Sequence, residues 1–449
     1  MKLSLIAGVL LSVSFLFPAH AQDELISIEE VVALALEQNY DVRLARSVSA
    51  SAATDDSYAV GAFFPVINAV GTRSWNVVDN QKQVLANDSV ITRENIKTSN
   101  LSGSLQLSWL LFDGLRMFAT RERLSQIAEQ GELDVKNQMV NTISDVVLNY
   151  YNVVRQKQQL NATREQMAVS EERVRLADRR LQVGTGAKPE LLQAKVDLNA
   201  QRTLVLQQQT LIAQLKDQLN GLVSNRLPPT YDVSDSILID LNIEQEQISA
   251  NIESNNYGLL AFKKDIDIAG LLLRERKGER YPFISFTSAY QYFQTESNLA
   301  SNPFTPLSNR NVGYNYGFSF NLPIINGFLN RRNIQQARLT LDRSRLFYEQ
   351  AKTNVDVGVK NAFVNYDNSK KVLLIEEENI GLAKENLYIT LESFKRSANT
   401  FIELRTAQQS LADAYNRLIN ARYLAKVAET NLLRLNGSLL RDISSTSTN

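Results

Sequence analysis

Residues 100–114 read Asn-Leu-Ser-Gly-Ser-Leu-Gln-Leu-Ser-Trp-Leu-Leu-Phe-Asp-Gly. Leu101, Gly103, Leu105, Leu107, Trp109 and Leu111 alternate with Asn100, Ser102, Ser104, Gln106, Ser108 and Leu110. A two-residue period puts a large apolar set on one face of a strand and a small polar set on the other. The pattern returns further on, where Val312, Tyr314, Tyr316, Phe318, Phe320 and Leu322 alternate with Gly313, Asn315, Gly317, Ser319 and Asn321. Strands are therefore expected over 100–111 and 312–322, with less regular partners over 66–78 and 283–294. Arg73 interrupts the first partner. A strand of ~10–12 residues is as long as a tilted strand must be to cross a bilayer. A soluble sandwich with one hydrated face would alternate in the same way. The Gly, Ser and Asn of the small face suit a barrel lumen, and the aromatics of the other suit lipid and its interfaces.

Working outward, each strand runs into a turn dipeptide, Asp113-Gly114 or Asn326-Gly327, and then into a long helical pattern. The chain says everything twice. Asn39-Tyr40 and Pro65 recur as Asn256-Tyr257 and Pro282, 217 positions on. Past the next loop the offset is 213, pairing Tyr150 with Phe363 and Glu190-Leu191 with Glu403-Leu404. A period above 200 residues marks a duplicated domain rather than a solenoid unit. The expected organisation is a signal peptide over 1–21, a first repeat over 22–222, a linker over 223–243, a second repeat over 244–437 and a disordered tail over 438–449. Each repeat holds a first helix (about 28–62 and 243–280), two strands, a long helix (115–183 and 328–396) and a return helix (190–221 and 402–435). The first helix opens on Ser27-Ile28-Glu29-Glu30, a capping box. Leu160, Met167, Val174 and Leu181 recur every seven residues, as do Leu191, Leu198, Val205, Ile212 and Leu219. Leu373, Ile380, Leu387 and Phe394, then Leu404, Leu411, Leu418, Ala425 and Leu432, repeat this in the second copy. A sustained heptad imposes left-handed supercoiling, as in a coiled coil.

Composition narrows the chemistry. The chain has 449 residues, 48 basic and 48 acidic side chains, no cysteine and one histidine. A balanced charge argues against nucleic-acid binding. Lys2, the apolar run Leu3–Phe17 and Ala19-His20-Ala21 read as a secretory signal with cleavage expected after Ala21; the alternative, a membrane anchor, would need a run of ~20 residues. Cleavage would remove His20, leaving neither Cys nor His for triads, thiolates or His-based metal sites. No phosphate-binding loop occurs, and Gly184-Thr185-Gly186 is not followed by the third glycine of a dinucleotide fingerprint. No catalytic residue, cofactor or metal is expected.

The lengths force an assembly. A helix over 115–183 is ~100 Å long and those over 28–60 and 190–221 are ~50 Å each, so two short helices stacked end to end match a long one. The 223–243 linker would then sit at the middle of a rod, or simply join the repeats. Four strands cannot stand alone in lipid, because their outer edges leave backbone groups unpaired. Three chains would close 12 strands and surround them with 12 helix positions. At ~10 Å between helices the ring leaves a water-filled bore of roughly 28 Å.

In detail the residues resemble the TolC-like outer membrane factors. Ile26–Glu30 leading to Ala33–Asn39 resembles the family's N-terminal helix motif, and Arg180-Leu181-Gln182-Val183-Gly184 with Glu190–Ala194 resembles its hairpin and return helix. The resemblance covers about residues 25–437. It implies a mainly α fold: a coiled-coil α-barrel continuous with a 12-stranded transmembrane β-barrel in a homotrimer. It also implies an outer-membrane location, in contact with lipid, with the helices in the periplasm. The function implied is a passive exit duct for a tripartite efflux or type I secretion system. Its partners would be a periplasmic adaptor protein and an inner-membrane RND, ABC or MFS transporter. By the same resemblance Glu403, Thr406 and Glu190 fall at the pore constriction, with Thr406 where the family carries a second carboxylate. Phe394 and Asn399 fall in the gate region, replacing a Tyr and an Arg of the family's latch. Val183, Gly184, Thr185 and Gly186 with Ser397 and Ala398 form the adaptor-docking tips. Glu403 also suits a plain helix start, where a carboxylate meets the macrodipole. The competing function is a non-conducting periplasmic coiled coil with a structural or adhesive role.

Overall fold

A computed structural model describes residues 24–84, 86, 88–249, 252–300, 306–396 and 398–440. The expected signal peptide lies outside these residues. The elements in chain order are β1 (Glu24–Ile26), α1 (Ile28–Gln38), α2 (Tyr40–Tyr58), β2 (Val66–Val84), β3 (Val90–Phe112), α3 (Arg116–Gln182) and α4 (Lys188–Leu222). After them come β4 (Tyr231–Val233), α5 (Gln245–Ser249), α6 (Ile252–Asn255), α7 (Tyr257–Gly278), β5 (Phe283–Ser297), β6 (Ser308–Asn321), α8 (Leu329–Lys395) and α9 (Phe401–Asn436). The chain divides into two compact units. One holds residues up to 42, 139–248 and 360 onward; the other holds 43–138 and 249–359.

The second unit carries one sheet in the order β2-β3-β5-β6. Every neighbouring pair is antiparallel, and β3 with β5 joins the two repeats. The strands outrun the expected 66–78 and 100–111. Val84 pairs with Val90 at the far end of the β2–β3 hairpin. Ladder bonds need only backbone groups, so pairing continues through Asn80-Gln81-Lys82 after the side-chain alternation has faded. A register shift between Leu110 and Phe112 lets β3 bend at its base, and Trp109 Nε1 donates to the Phe63 carbonyl at 2.9 Å.

The first helix of each repeat is interrupted where continuity was expected. Asn39 leaves helical geometry (φ −59°, ψ 133°). Its Oδ1 accepts from the Asp41 and Val42 amides at 2.9 and 3.3 Å, and its Nδ2 donates to the Leu222 carbonyl at 2.8 Å. Asn256 plays the same part in the second repeat, capping α7 through the Leu259 amide at 3.0 Å. Asn favours such caps because its side chain mimics a backbone acceptor. A 3₁₀ turn over Ala59–Phe63 replaces the expected end of the first helix.

The first unit is helical around buried heptad positions. Leu404, Leu411, Leu418, Ala425 and Leu432 of α9 are all buried, as are Leu191, Leu198, Ile212 and Leu219 of α4. The linker is more than a plain connector: β4 pairs in parallel with β1. Lys157 donates to the Val233 carbonyl at 2.7 Å, and its repeat equivalent Lys370 donates to the Leu241 carbonyl at 2.5 Å. Duplication thus placed one lysine on each long helix to hold one part of the linker. The expected disorder from 438 does not extend to Leu439, which is buried where its apolar side chain leaves water. Residues 441–449 lie outside the described part.

Candidate functional site

Two surfaces carry the chemistry. The first is the sheet. In an antiparallel ladder, paired residues share a face. Leu105, Tyr290 and Tyr314 form one cross-strand row, Leu107, Ser288 and Tyr316 the next, and Trp109, Phe286 and Phe318 another. On this face Tyr314, Tyr316 and Phe318 are 77%, 72% and 72% exposed, so an extended aromatic surface has no cover within the chain. The opposite face carries Ser104, Gln106, Gln291 and Asn315, which border a groove with Gly103 and Gly313. The outer strands β2 and β6 each have one unpaired edge.

The second surface lies where the helical hairpins turn, within the first unit. At the α3–α4 turn the Gly184 φ is +77°, a conformation that costs an L-residue ~1–2 kcal/mol. The Thr185 and Gly186 amides both donate to the Arg180 carbonyl at 2.9 Å. A Cβ on Gly186 would meet the Arg180 Cβ at 2.8 Å, and the Thr185 hydroxyl adds a bond to the same Arg180 carbonyl at 3.4 Å. Val183 stands 72% exposed beside it, and Glu190 is half-buried in the first turn of α4. The α8–α9 turn is built differently. Ala398 is exposed, its amide bonded to the Ser393 carbonyl at 2.9 Å, and Asn399 is half-buried. Ser397 lies outside the described residues.

Glu403 is exposed and completes a capping box. Its Oε2 accepts from the Thr400 amide at 2.7 Å and from the Thr400 hydroxyl at 3.0 Å, while Thr400 Oγ1 accepts from the Glu403 amide. These bonds from the Thr400 amide and hydroxyl hold the carboxyl below the usual glutamate range. The Thr406 hydroxyl is turned back onto its own helix, donating to the Ile402 carbonyl at 3.0 Å. Phe394 is buried with Leu387, Leu404, Ala407 and Leu411. Across from it, Arg180 of α3 stacks 4.0 Å over the Phe394 ring and donates to the Phe394 carbonyl at 2.5 Å. The two hairpins therefore meet through Arg180 and Phe394. Among the described residues no hydrogen bond joins Glu190 to Phe394 or Asn399.

One cluster escaped the sequence. Arg173 of α3 is 2% exposed. It donates to Asp197 of α4 at 2.5 Å and to Gln408 of α9 at 2.8 Å, and lies 5.0 Å over the Phe401 ring. Arg405 approaches the same carboxylate at 3.5 Å, and Gln193 donates to it at 2.8 Å. A cavity of about 210 Å³ opens beside them. Burial lowers the Arg173 guanidinium below its ordinary value, and Asp197 opposes that shift. Arg173 sits beside heptad position Val174, and nothing in the linear spacing joins it to Asp197 and Gln408.

The family described as Outer membrane efflux protein matches residues 31–224 and 251–438, one stretch for each repeat, and the chain belongs to that family. It is thus a channel-type protein of the outer membrane, with its helical part in the periplasm, and not an enzyme. The outer membrane efflux protein BepC of Brucella suis biovar 1 is 25% identical over 350 residues, 75% of this chain and 72% of that protein. The cation efflux system protein CusC of Escherichia coli O157:H7 is 22% identical over 409 residues, 90% of this chain and 84% of that one. The solved CmeC outer membrane channel of Campylobacter jejuni shares the fold with a TM-score of 0.76 at 18% identity, covering 94% of this chain and 89% of that one.

Proposed function

We propose that this chain is the passive exit duct of a tripartite efflux or type I secretion system. Three copies close their sheets into one 12-stranded barrel, and their helices enclose a water-filled tunnel. The observation that carries this reading is the four-stranded sheet with two open edges and one uncovered aromatic face. In hydrocarbon each unpaired backbone group costs several kcal/mol, so an open edge demands a partner edge. The tips at Val183–Gly186 and Ser397–Ala398 dock the adaptor, which couples the duct to an inner-membrane transporter of the RND, ABC or MFS kind. Energy comes from that transporter, since the sequence carries no nucleotide-binding loop.

The constriction lies at the hairpin turns. Glu403 supplies a ring of carboxylates, Thr406 supplies none, and Glu190 borders them. Arg180 and Phe394 hold the two hairpins together where a charged latch is lacking, with Asn399 in the adjoining turn. The experiment is planar-bilayer conductance of the detergent-purified protein, with oligomer mobility on gels before and after heating. A duct gives a heat-sensitive oligomer and discrete current steps. A soluble monomer with no current would instead favour a non-conducting periplasmic scaffold.

A further inference from the structure

One pair of charges breaks the aromatic face of the sheet. Arg73 on β2 and Arg310 on β6 are both exposed and belong to one cross-strand row, Arg73–Leu101–Gln294–Arg310. That row shares the face of Leu105, Tyr314 and Tyr316, which is lipid-facing under the function proposed above. No charged side chain occurs on this face in the rows nearer the helices. Among the described residues no carboxylate forms an ion pair with either arginine. The nearest acid on the face, Glu296, accepts from Gln294 at 2.7 Å.

Height explains why two arginines are placed there. A barrel strand rises ~3.3 Å per residue and tilts by ~40°, which gives about 2.5 Å of height per residue. Arg310 lies eleven residues from the base of β6 at Asn321, or ~28 Å up. Arg73 lies seven residues from the base of β2 at Val66, or ~18 Å up. The side chains cancel this difference. The Arg73 guanidinium stacks 5.0 Å from the ring of Trp75, two residues further from the base. The Arg310 guanidinium stacks 5.3 Å from the ring of Tyr292, which belongs to the row two residues nearer the base. Both cations converge on about 23 Å, just inside the ~25 Å upper limit of a barrel's apolar band.

β2 and β6 are also the two open edges of the sheet, so closure sets Arg73 of one chain beside Arg310 of the next. Two guanidiniums at a low-dielectric boundary repel unless an anion lies between them. Their planar forks, each braced on an aromatic face, match the geometry of phosphate oxygens. We propose that Arg73 and Arg310 form a clamp at each chain joint for the phosphate groups of the outer-leaflet lipid. The helices leave from the opposite end of the sheet, which excludes the inner-leaflet headgroups. The clamp rests on the trimeric barrel.

The test compares wild type with an Arg73→Gln/Arg310→Gln double variant, each purified in mild detergent from the same outer membranes. Lys82→Gln, on the opposite face of β2, serves as the control. Native mass spectrometry reads oligomer and bound lipid together, and reconstitution with or without added phosphorylated glycolipid repeats the measurement. The expected result is retained phosphorylated glycolipid in wild type and Lys82→Gln, with roughly tenfold less in the double variant, on oligomers of equal size. Equal lipid on wild-type and double-variant trimers would overturn the clamp and leave the duct intact. A wild type that is monomeric in detergent would overturn both.

Discussion

The sheet and the helical unit solve opposite problems with the same residue types. In the helical unit Leu404, Leu411, Leu418 and Leu432 turn inward and are buried, and charged residues such as Arg405 and Arg417 stay at the surface. In the sheet Tyr314, Tyr316, Phe318 and Phe320 are left uncovered, while Ser104, Gln106 and Asn315 line the other face. Water on both sides cannot explain the second arrangement, because a monomeric soluble protein rarely exposes so large an apolar patch. One chain thus meets two solvents. The helices fold as if in water, and the sheet as if one of its faces meets hydrocarbon.

The largest expected break falls on the helical side. Arg173→Ala would leave Asp197 half-satisfied in a buried site, and removing one partner of such a pair costs ~3–5 kcal/mol. The melting temperature of the helical part should fall strongly, with little change in the sheet's β signal. Tyr316→Arg is the corresponding break in the sheet. An arginine near the midplane of a barrel's outer face costs ~2–4 kcal/mol. Oligomer yield in detergent should drop, whereas Gln106→Arg on the other face should be tolerated. Equal damage from the two arginines would erase the distinction between the faces.

A smaller effect is expected at the linker. Burial alone would raise the Asp232 pKa, but hydrogen bonds from Lys157 and Lys216 hold it below the usual aspartate range. Its folded value is depressed, so its stabilisation is present above the ordinary Asp pKa and disappears as pH falls through the depressed one. Asp232→Asn should cost ~1–3 kcal/mol at neutral pH. Melting curves of wild type and variant should converge on acidification. The smallest effect is electrostatic. Glu403→Gln should weaken cation preference in bilayer recordings with little change in stability. The wild-type preference should be lost at a lower pH than for an ordinary glutamate, because the bonds from Thr400 hold this carboxyl below the usual range.

Legibility followed the range of the interactions. Alternation over 100–111 and heptads over 404–432 are local patterns, and both lie in elements of the matching kind, β3 and α9. The Ser27–Glu30 capping box was equally readable, with both of its bonds formed. Asn39-Tyr40 and Asn256-Tyr257 were visible as a repeat, but not as caps that interrupt a helix; at Asn39 the side chain is also held by a bond from its Nδ2 to the distant Leu222 carbonyl, which no local spacing encodes. The Arg173–Asp197–Gln408 cluster was illegible for a stronger reason. Its members lie on three helices, and no spacing along the chain encodes their meeting. The resemblance placed Glu403 at a constriction, and the geometry adds that the same carboxylate caps its own helix.

The central claim is that open edges β2 and β6 are joined by neighbouring copies in lipid. Its most direct test is the mass of the detergent-solubilised protein, measured by light scattering with the detergent contribution subtracted. Three chains per particle are expected, collapsing to single chains only on heating. A detergent-free, stable single chain would contradict it.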